Sequence, residues 1–128
     1  MALGAGIDII AISRMREILS NSGRDAFVAK VYTAGERERA EAHAEPVVYF
    51  AKTFAAKEAI FKTLGIDWDS GVQFKEIDIQ DGKCGEPIAV LSGRFAEIVA
   101  ERKAARVLVS LSYDGDYAIA MAVLSGQE

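Results

Sequence analysis

Apolar positions recur with a helical period over residues 47–65. At about 100° per residue, Val47, Phe50, Ala51, Phe54, Phe61 and Gly65 fall on one arc, the mark of an amphipathic helix. Pro46 suits its first turn and Gly65 its end, so the pattern predicts about five turns of helix. Upstream, Leu3 to Ile12 is apolar, β-branched and glycine-bearing, which favours a buried strand. Ser13 then offers an N-cap to a short helix with Met15, Ile18 and Leu19 inward, ended by Asn21-Ser22-Gly23. Asp25 to Tyr32 predicts a second short helix on Phe27, Val28 and Val31. Thr33-x-x-Glu36 matches a capping box that opens a third, highly charged one.

Beyond the central helix the pattern changes to short runs. Ile66 to Gly71 reads as a loop. Val72 to Ile79 reads as a strand whose apolar positions change phase, which suggests a bulge or twist. Asp81-Gly82 turns the chain into a partner strand, Pro87 to Leu91, and Phe95, Ile98 and Val99 mark a surface helix within Gly93 to Arg106. Val107 to Tyr113 and Tyr117 to Leu124 flank Asp114-Gly115-Asp116 as a hairpin. Helices and strands without βαβ alternation predict an α+β fold, a mainly antiparallel sheet packed on one long and several short helices. No linker divides residues 1–128, so one domain is expected.

Two carboxylates break this pattern. Glu58 projects near the middle of the apolar arc, with Lys57 and Lys62 at its edges, and a carboxylate facing a core needs a partner or a metal. An i,i+4 pair with Lys62 is one way to satisfy it. Asp8, inside Ile7-Asp8-Ile9-Ile10, is either a strand-end cap or half of a site. Taken together, two oxygen donors without a soft ligand suit Mg²⁺, and Lys62 adds a point charge for phosphate. That set matches phosphoryl transfer.

Composition narrows the alternatives. With 51% hydrophobic residues, 128 positions can bury one real core. A net charge of −4 and no basic block argue against nucleic-acid or membrane-surface partners. The single Cys84 allows neither a disulfide framework nor a cysteine metal cluster, and His43, with no second histidine, reads as a solvated loop residue. Gly4-x-Gly6 precedes its strand where a dinucleotide fingerprint must follow one. The N-terminal run lacks a basic leader and contains Asp8, and no run reaches the length of a membrane span, so a cytoplasmic protein is expected.

Gly6-Ile7-Asp8-Ile9, Phe54-Ala55-Ala56-Lys57-Glu58-Ala59-Ile60-Phe61-Lys62, Gly85-Glu86-Pro87 and Ser110-Leu111-Ser112 together resemble the holo-(acyl-carrier-protein) synthases, the small 4′-phosphopantetheinyl transferases, in order and separation over nearly the whole chain. The resemblance implies an enzyme of fatty acid and lipid biosynthesis that moves phosphopantetheine from coenzyme A to a serine of an apo acyl carrier protein, releasing adenosine 3′,5′-bisphosphate. It also implies a homotrimer with CoA between subunits. By position, Asp8 and Glu58 would ligate Mg²⁺, and Lys62 would neutralise the departing phosphate. Gly85, Pro87 and Ser112 would join Lys62 at the CoA, and either Glu58 or a metal-bound water would take the serine proton. Arg14 and its helix would meet the acidic carrier. Three positions depart from the pattern. Thr53 stands where arginine is usual, Tyr113 where histidine is usual after Ser112, and Gly65-Ile66-Asp67 replaces Gly-Thr-Gly. Each removes positive charge or adds negative charge. The alternative is a non-catalytic trimeric relative that binds a carrier protein or nucleotide without transfer, and the retention of Asp8, Glu58 and Lys62 weighs against it.

Overall fold

A computed structural model describes residues 1–127; the last residue of the expected domain, Glu128, lies outside them. The fold is α+β. Strands β1 (Ala2–Ala11), β4 (Ala104–Asp114) and β5 (Tyr117–Gly126) form an antiparallel sheet in the order β1-β5-β4, and β2 (Ile77–Asp81) pairs with β3 (Pro87–Leu91) as a separate antiparallel hairpin. Helices α1 (Ile12–Ser20), α2 (Arg24–Val31) and α3 (Ala34–Ala42) lead into the long α4 (Pro46–Lys62), and α5 (Gly93–Glu101) precedes β4. No helix among the described residues is long and apolar enough to cross a membrane.

Small residues bring α4 onto the sheet. Ala118, Ala120 and Ala122 of β5 are fully or almost fully buried, as are Ala51, Ala55 and Ala59 of α4. On β1 the helix-facing positions Gly4 and Gly6 approach the helix backbone itself, and a Cβ on Gly6 would collide with the Ala59 carbonyl oxygen. Gly6→Ala is therefore expected to cost about 2–3 kcal/mol through overpacking. Urea unfolding would read this as a lower midpoint at unchanged slope. A wild-type midpoint would show that helix and strand are not in close contact.

Several expected elements are revised by what their backbones bond. Strand β1 is buried on one face only, since Ile7 and Ile9 are 59% and 60% exposed while Gly6 and Ile10 face α4. Ser13 is not an N-cap. Ala11 holds that position, and the N–H and Oγ of Ser13 donate instead to the Asp116 carboxylate at 2.9 and 2.7 Å, so the β4–β5 turn secures the start of α1. The phase change in the expected Val72–Ile79 strand is a 3-10 turn, Phe74–Glu76, and β2 begins only at Ile77. Glu76 explains it, accepting from Gln73 N–H at 3.0 Å and from the N–H groups of Arg94 and Phe95 at the start of α5. Helix α5 stops at Glu101 because Lys103 turns through φ 57°, which sends 104–106 into β4. The capping box of Thr33 and Glu36 forms as expected, as does the final hairpin, with Gly115 at φ 57°.

The long helix ends at Lys62 and is buried around most of its circumference, so the single arc understates it. Val47 and Phe54 on that arc are only half-buried and Gly65 is exposed. Lys57, assigned to an edge, is fully buried: its ammonium lies 2.6 Å from the equally buried Glu36 carboxylate. Burial pushes the Lys57 pKa down, and the charge of Glu36 offsets only part of that.

Candidate functional site

Asp8 lies on the α4-facing side of β1, paired across the ladder with Ala120. The period of two that turns Ile7 and Ile9 outward turns Asp8 inward. Lys62 closes over it: its ammonium donates to Asp8 Oδ1 at 3.1 Å and to the Ile7 carbonyl at 3.0 Å. Glu58, one turn earlier on α4, lines the same cavity as Asp8, about 370 Å³, walled by Ile9, Ile10, Arg14, Ile18, Phe27 and Phe54. The i,i+4 pairing of Glu58 with Lys62 is not among the ion pairs of the described residues, because Lys62 is engaged by Asp8 instead. Asp8 thus sits within β1 and pairs with Lys62 of α4 rather than capping a strand end.

Burial raises the Glu58 carboxyl pKa, the nearby negative charge of Asp8 raises it further, and Lys62 offsets only part of the shift. Two carboxylates lining one cavity, with the Glu58 pKa raised, favour either a proton or a cation beside them. The donors are oxygen only, and no group of three or more metal-ligating side chains occurs among the described residues. Such a set fits a hard divalent ion that keeps most of its own water, as Mg²⁺ does.

The raised Glu58 pKa predicts a pH signature. The folded state binds this proton more tightly than the unfolded chain does. Metal-free protein therefore loses stability as pH rises from the ordinary carboxylate value through the raised one. Glu58→Gln, which cannot ionise, is expected to have a higher thermal midpoint than the parent at neutral pH in EDTA. The difference should vanish once the pH falls below the ordinary carboxylate range. Equal midpoints at both pH values would show that Glu58 is not desolvated.

Gly85 and Pro87 are brought to a different place. With Tyr49, Lys52 and Thr53 of α4, Ile79 and Asp81 of β2 and Leu111 of β4, they line a second cavity of about 150 Å³. Tyr49 and Glu58 are about two and a half turns apart on α4 and so face opposite ways. Within one chain, Gly85 and Pro87 are therefore separated by the helix from Asp8 and Glu58. Ser112 joins neither cavity: it pairs with Ile119 on the outer face of the sheet. Tyr113 points to the α4 side, and the Lys52 ammonium sits 5.4 Å from the centre of its ring. Of the other departures, Thr53 is buried in the cavity wall and Asp67 is exposed. Lys52 carries no sequence signal beyond adjacency to Thr53. Phe27 reads only as core, although it walls the carboxylate cavity.

The family model of the 4′-phosphopantetheinyl transferase superfamily matches residues 4–122, a span that contains both cavities. The chain belongs to this superfamily. Within it, the chain is of the holo-(acyl-carrier-protein) synthase type. A holo-(acyl-carrier-protein) synthase of Desulforudis audaxviator is 36% identical over 126 residues, covering 98% of this chain and 95% of the relative. The crystal structure of the Neisseria meningitidis synthase superposes with a TM-score of 0.88 at 30% identity, over 98% of this chain and 99% of that one. An ACPS–CoA complex from Chronobacterium ammoniagenes superposes with a TM-score of 0.82 at 29% identity, over the whole of both chains. The fold and the likeness to these synthases agree, so the phosphopantetheinyl transferase assignment made from the four sequence motifs stands, and the chain is an enzyme of that class.

Proposed function

We propose that the chain transfers 4′-phosphopantetheine from coenzyme A to a serine hydroxyl of an apo acyl carrier protein, releasing adenosine 3′,5′-bisphosphate in a Mg²⁺-dependent reaction. The observation that carries this reading is the convergence of Asp8, Glu58 and Lys62 on one cavity edge from two distant parts of the chain. Asp8 and Glu58 would hold Mg²⁺, which supplies charge neutralisation for the CoA pyrophosphate when bound. Glu58, on the same cavity wall as Asp8, takes the proton of the attacking serine hydroxyl. The serine oxygen forms a bond to the phosphorus that carries the pantetheine arm as the bond from that phosphorus to the bridging pyrophosphate oxygen breaks. Lys62 faces the departing phosphate and balances its charge. Arg14, on the rim of the same cavity, meets the acidic carrier as it brings the serine in.

The proposal extends to assembly. Gly85, Pro87 and Ser112 stand apart from the carboxylates within one chain, so they contact CoA from a neighbouring protomer of a homotrimer. The outer sheet face supports this contact: Ile7, Ile9, Leu108, Ile119 and Met121 are between 37% and 60% exposed on it, an apolar surface of the kind that marks an interface. Residues 1–128 would act as one domain, in the cytoplasm, in fatty acid and lipid biosynthesis.

The test is intact-mass spectrometry of several apo acyl carrier proteins incubated with this protein, CoA and Mg²⁺, against an EDTA control. A metal-dependent gain of one phosphopantetheine is the expected result. No gain on any carrier that a known transferase modifies in parallel would overturn the reading in favour of binding without transfer.

A further inference from the structure

Helix α1 does not cap itself. Its N-cap, Ala11, makes no side-chain bond, its first turn holds no acidic residue and its last turn no basic one. A helix of nine residues is also too short to persist on local propensity alone. Both of its ends are held by groups outside it. At the N-terminal end the Asp116 carboxylate accepts from Ser13 N–H and Oγ, and the Asp116 carbonyl accepts from Ile12 N–H at 2.6 Å. At the other end Arg24 Nη1 donates to the Leu19 carbonyl at 3.2 Å. Ser13 is the second residue of α1, so Asp116 does from the β4–β5 turn what an N-cap side chain does within a helix. Its negative charge also lies at the end of the helix dipole that favours it.

Arg14 follows Ser13 directly. It lines the carboxylate cavity with Ile18, one turn further along α1, and enters none of the ion pairs of the described residues. The direction in which its guanidinium leaves the backbone is set by the first turn of α1, the turn that Asp116 ties down. The carboxylates of the site are held separately, Asp8 in the β1–β5 ladder and Glu58 on α4. We propose that Asp116 is a positioning residue for the carrier protein: by capping α1 from the β4–β5 turn it fixes the first turn of that helix and so aims Arg14 at the acidic partner. The inference rests on the transferase reading above, in which Arg14 meets the carrier. It gives the Asp114-Gly115-Asp116 turn a second task, since the turn that closes the hairpin also orders the acceptor side of the site.

Transfer kinetics of the full chain with CoA, Mg²⁺ and an apo acyl carrier protein test this, with calorimetric Mg²⁺ affinity and thermal midpoints measured on the same samples. Asp116→Ala removes both side-chain contacts and should raise KM for the carrier about fivefold to tenfold. The values of kcat, KM for CoA and Mg²⁺ affinity should stay within about twofold of the parent. Asp116→Asn can still accept from Ser13 N–H and should restore most of the carrier KM although it lacks the charge. Ser13→Ala, which removes only the hydroxyl contact, should give a smaller rise and carries the test should Asp116→Ala not fold. In an Arg14→Gln background Asp116→Ala should add little, because both changes act on one contact. A carrier KM within about twofold of the parent in Asp116→Ala, or a full additive loss in the Arg14→Gln background, overturns the role of Asp116. So does a fall in carrier KM in both Asp116 variants, which would mean that the carboxylate repels the acidic carrier. A parent that modifies no carrier overturns the transferase reading beneath it.

Discussion

Glu36→Ala is expected to destabilise the protein by about 3–5 kcal/mol, because it leaves the Lys57 ammonium in the core without its counter-charge. Every atom of this pair is occupied. Lys57 Nζ donates to the Val31 and Phe74 carbonyls at 2.7 and 3.1 Å as well as meeting Glu36 at 2.6 Å. Glu36 accepts from the N–H groups of Thr33 at 2.9 Å and Ile79 at 2.7 Å. Removing the carboxylate thus strands one cation and two backbone donors. The joint replacement Glu36→Leu with Lys57→Met should recover much of the loss, since well-packed apolar groups in place of a buried pair are often neutral or better. Urea unfolding of the parent, both single variants and the double variant checks this as a cycle. A single-variant cost below about 1 kcal/mol would mean that water reaches the site.

The pair also explains how α4 is held. It joins the α2–α3 junction, the 3-10 turn and β2 to the residue immediately before Glu58. The rotation of the helix that aims Glu58 at Asp8 is therefore fixed by a polar anchor as well as by apolar packing. Phe74, whose carbonyl meets Lys57, has its ring 5.8 Å from that of Phe54, a wall of the carboxylate cavity. Anchor and site are mechanically continuous.

Most of the fold was legible because its signals are local. Alternation and a glycine turn gave the last hairpin, Thr33-x-x-Glu36 gave a capping box, and Pro46 gave the start of α4. Errors arose where a distant group decides the outcome. Ser13 resembles a cap, but Asp116, far along the chain, takes its hydroxyl. Glu76 ends a strand early because α5 supplies donors to its carboxylate. Lys57 looks like a helix edge because nothing local shows that Glu36 lies beneath it. At the site, Asp8 and Glu58 were legible because a charge in an apolar run is costly wherever its partner lies. The pairing of Lys62 with Asp8 was not, since Glu58 is the nearer candidate along the helix. Nor was the separation of Gly85 and Pro87 from the carboxylates, because linear motifs carry no information about which side of a helix each one reaches.

Glu58→Gln is expected to reduce phosphopantetheine transfer by about a thousandfold on the proposed mechanism. The substitution keeps volume and hydrogen-bonding capacity but removes both the anionic charge that would hold Mg²⁺ and the base for the serine proton. These two roles can be separated by measurement. Calorimetric Mg²⁺ affinity reports the first. Turnover at saturating Mg²⁺ reports the second, and a residual deficit there belongs to proton transfer. Asp8→Asn, which keeps Glu58 but lightens its electrostatic load, should weaken Mg²⁺ binding and, in metal-free protein, release the elevation of the Glu58 pKa that Asp8 contributes. Thermal midpoints of Glu58→Gln and its parent, taken in the assay buffer, separate inactivity from unfolding. Transfer within about tenfold of the parent would remove Glu58 from the chemistry. Asp8 and Lys62 would then be a structural ion pair at the mouth of an apolar cavity.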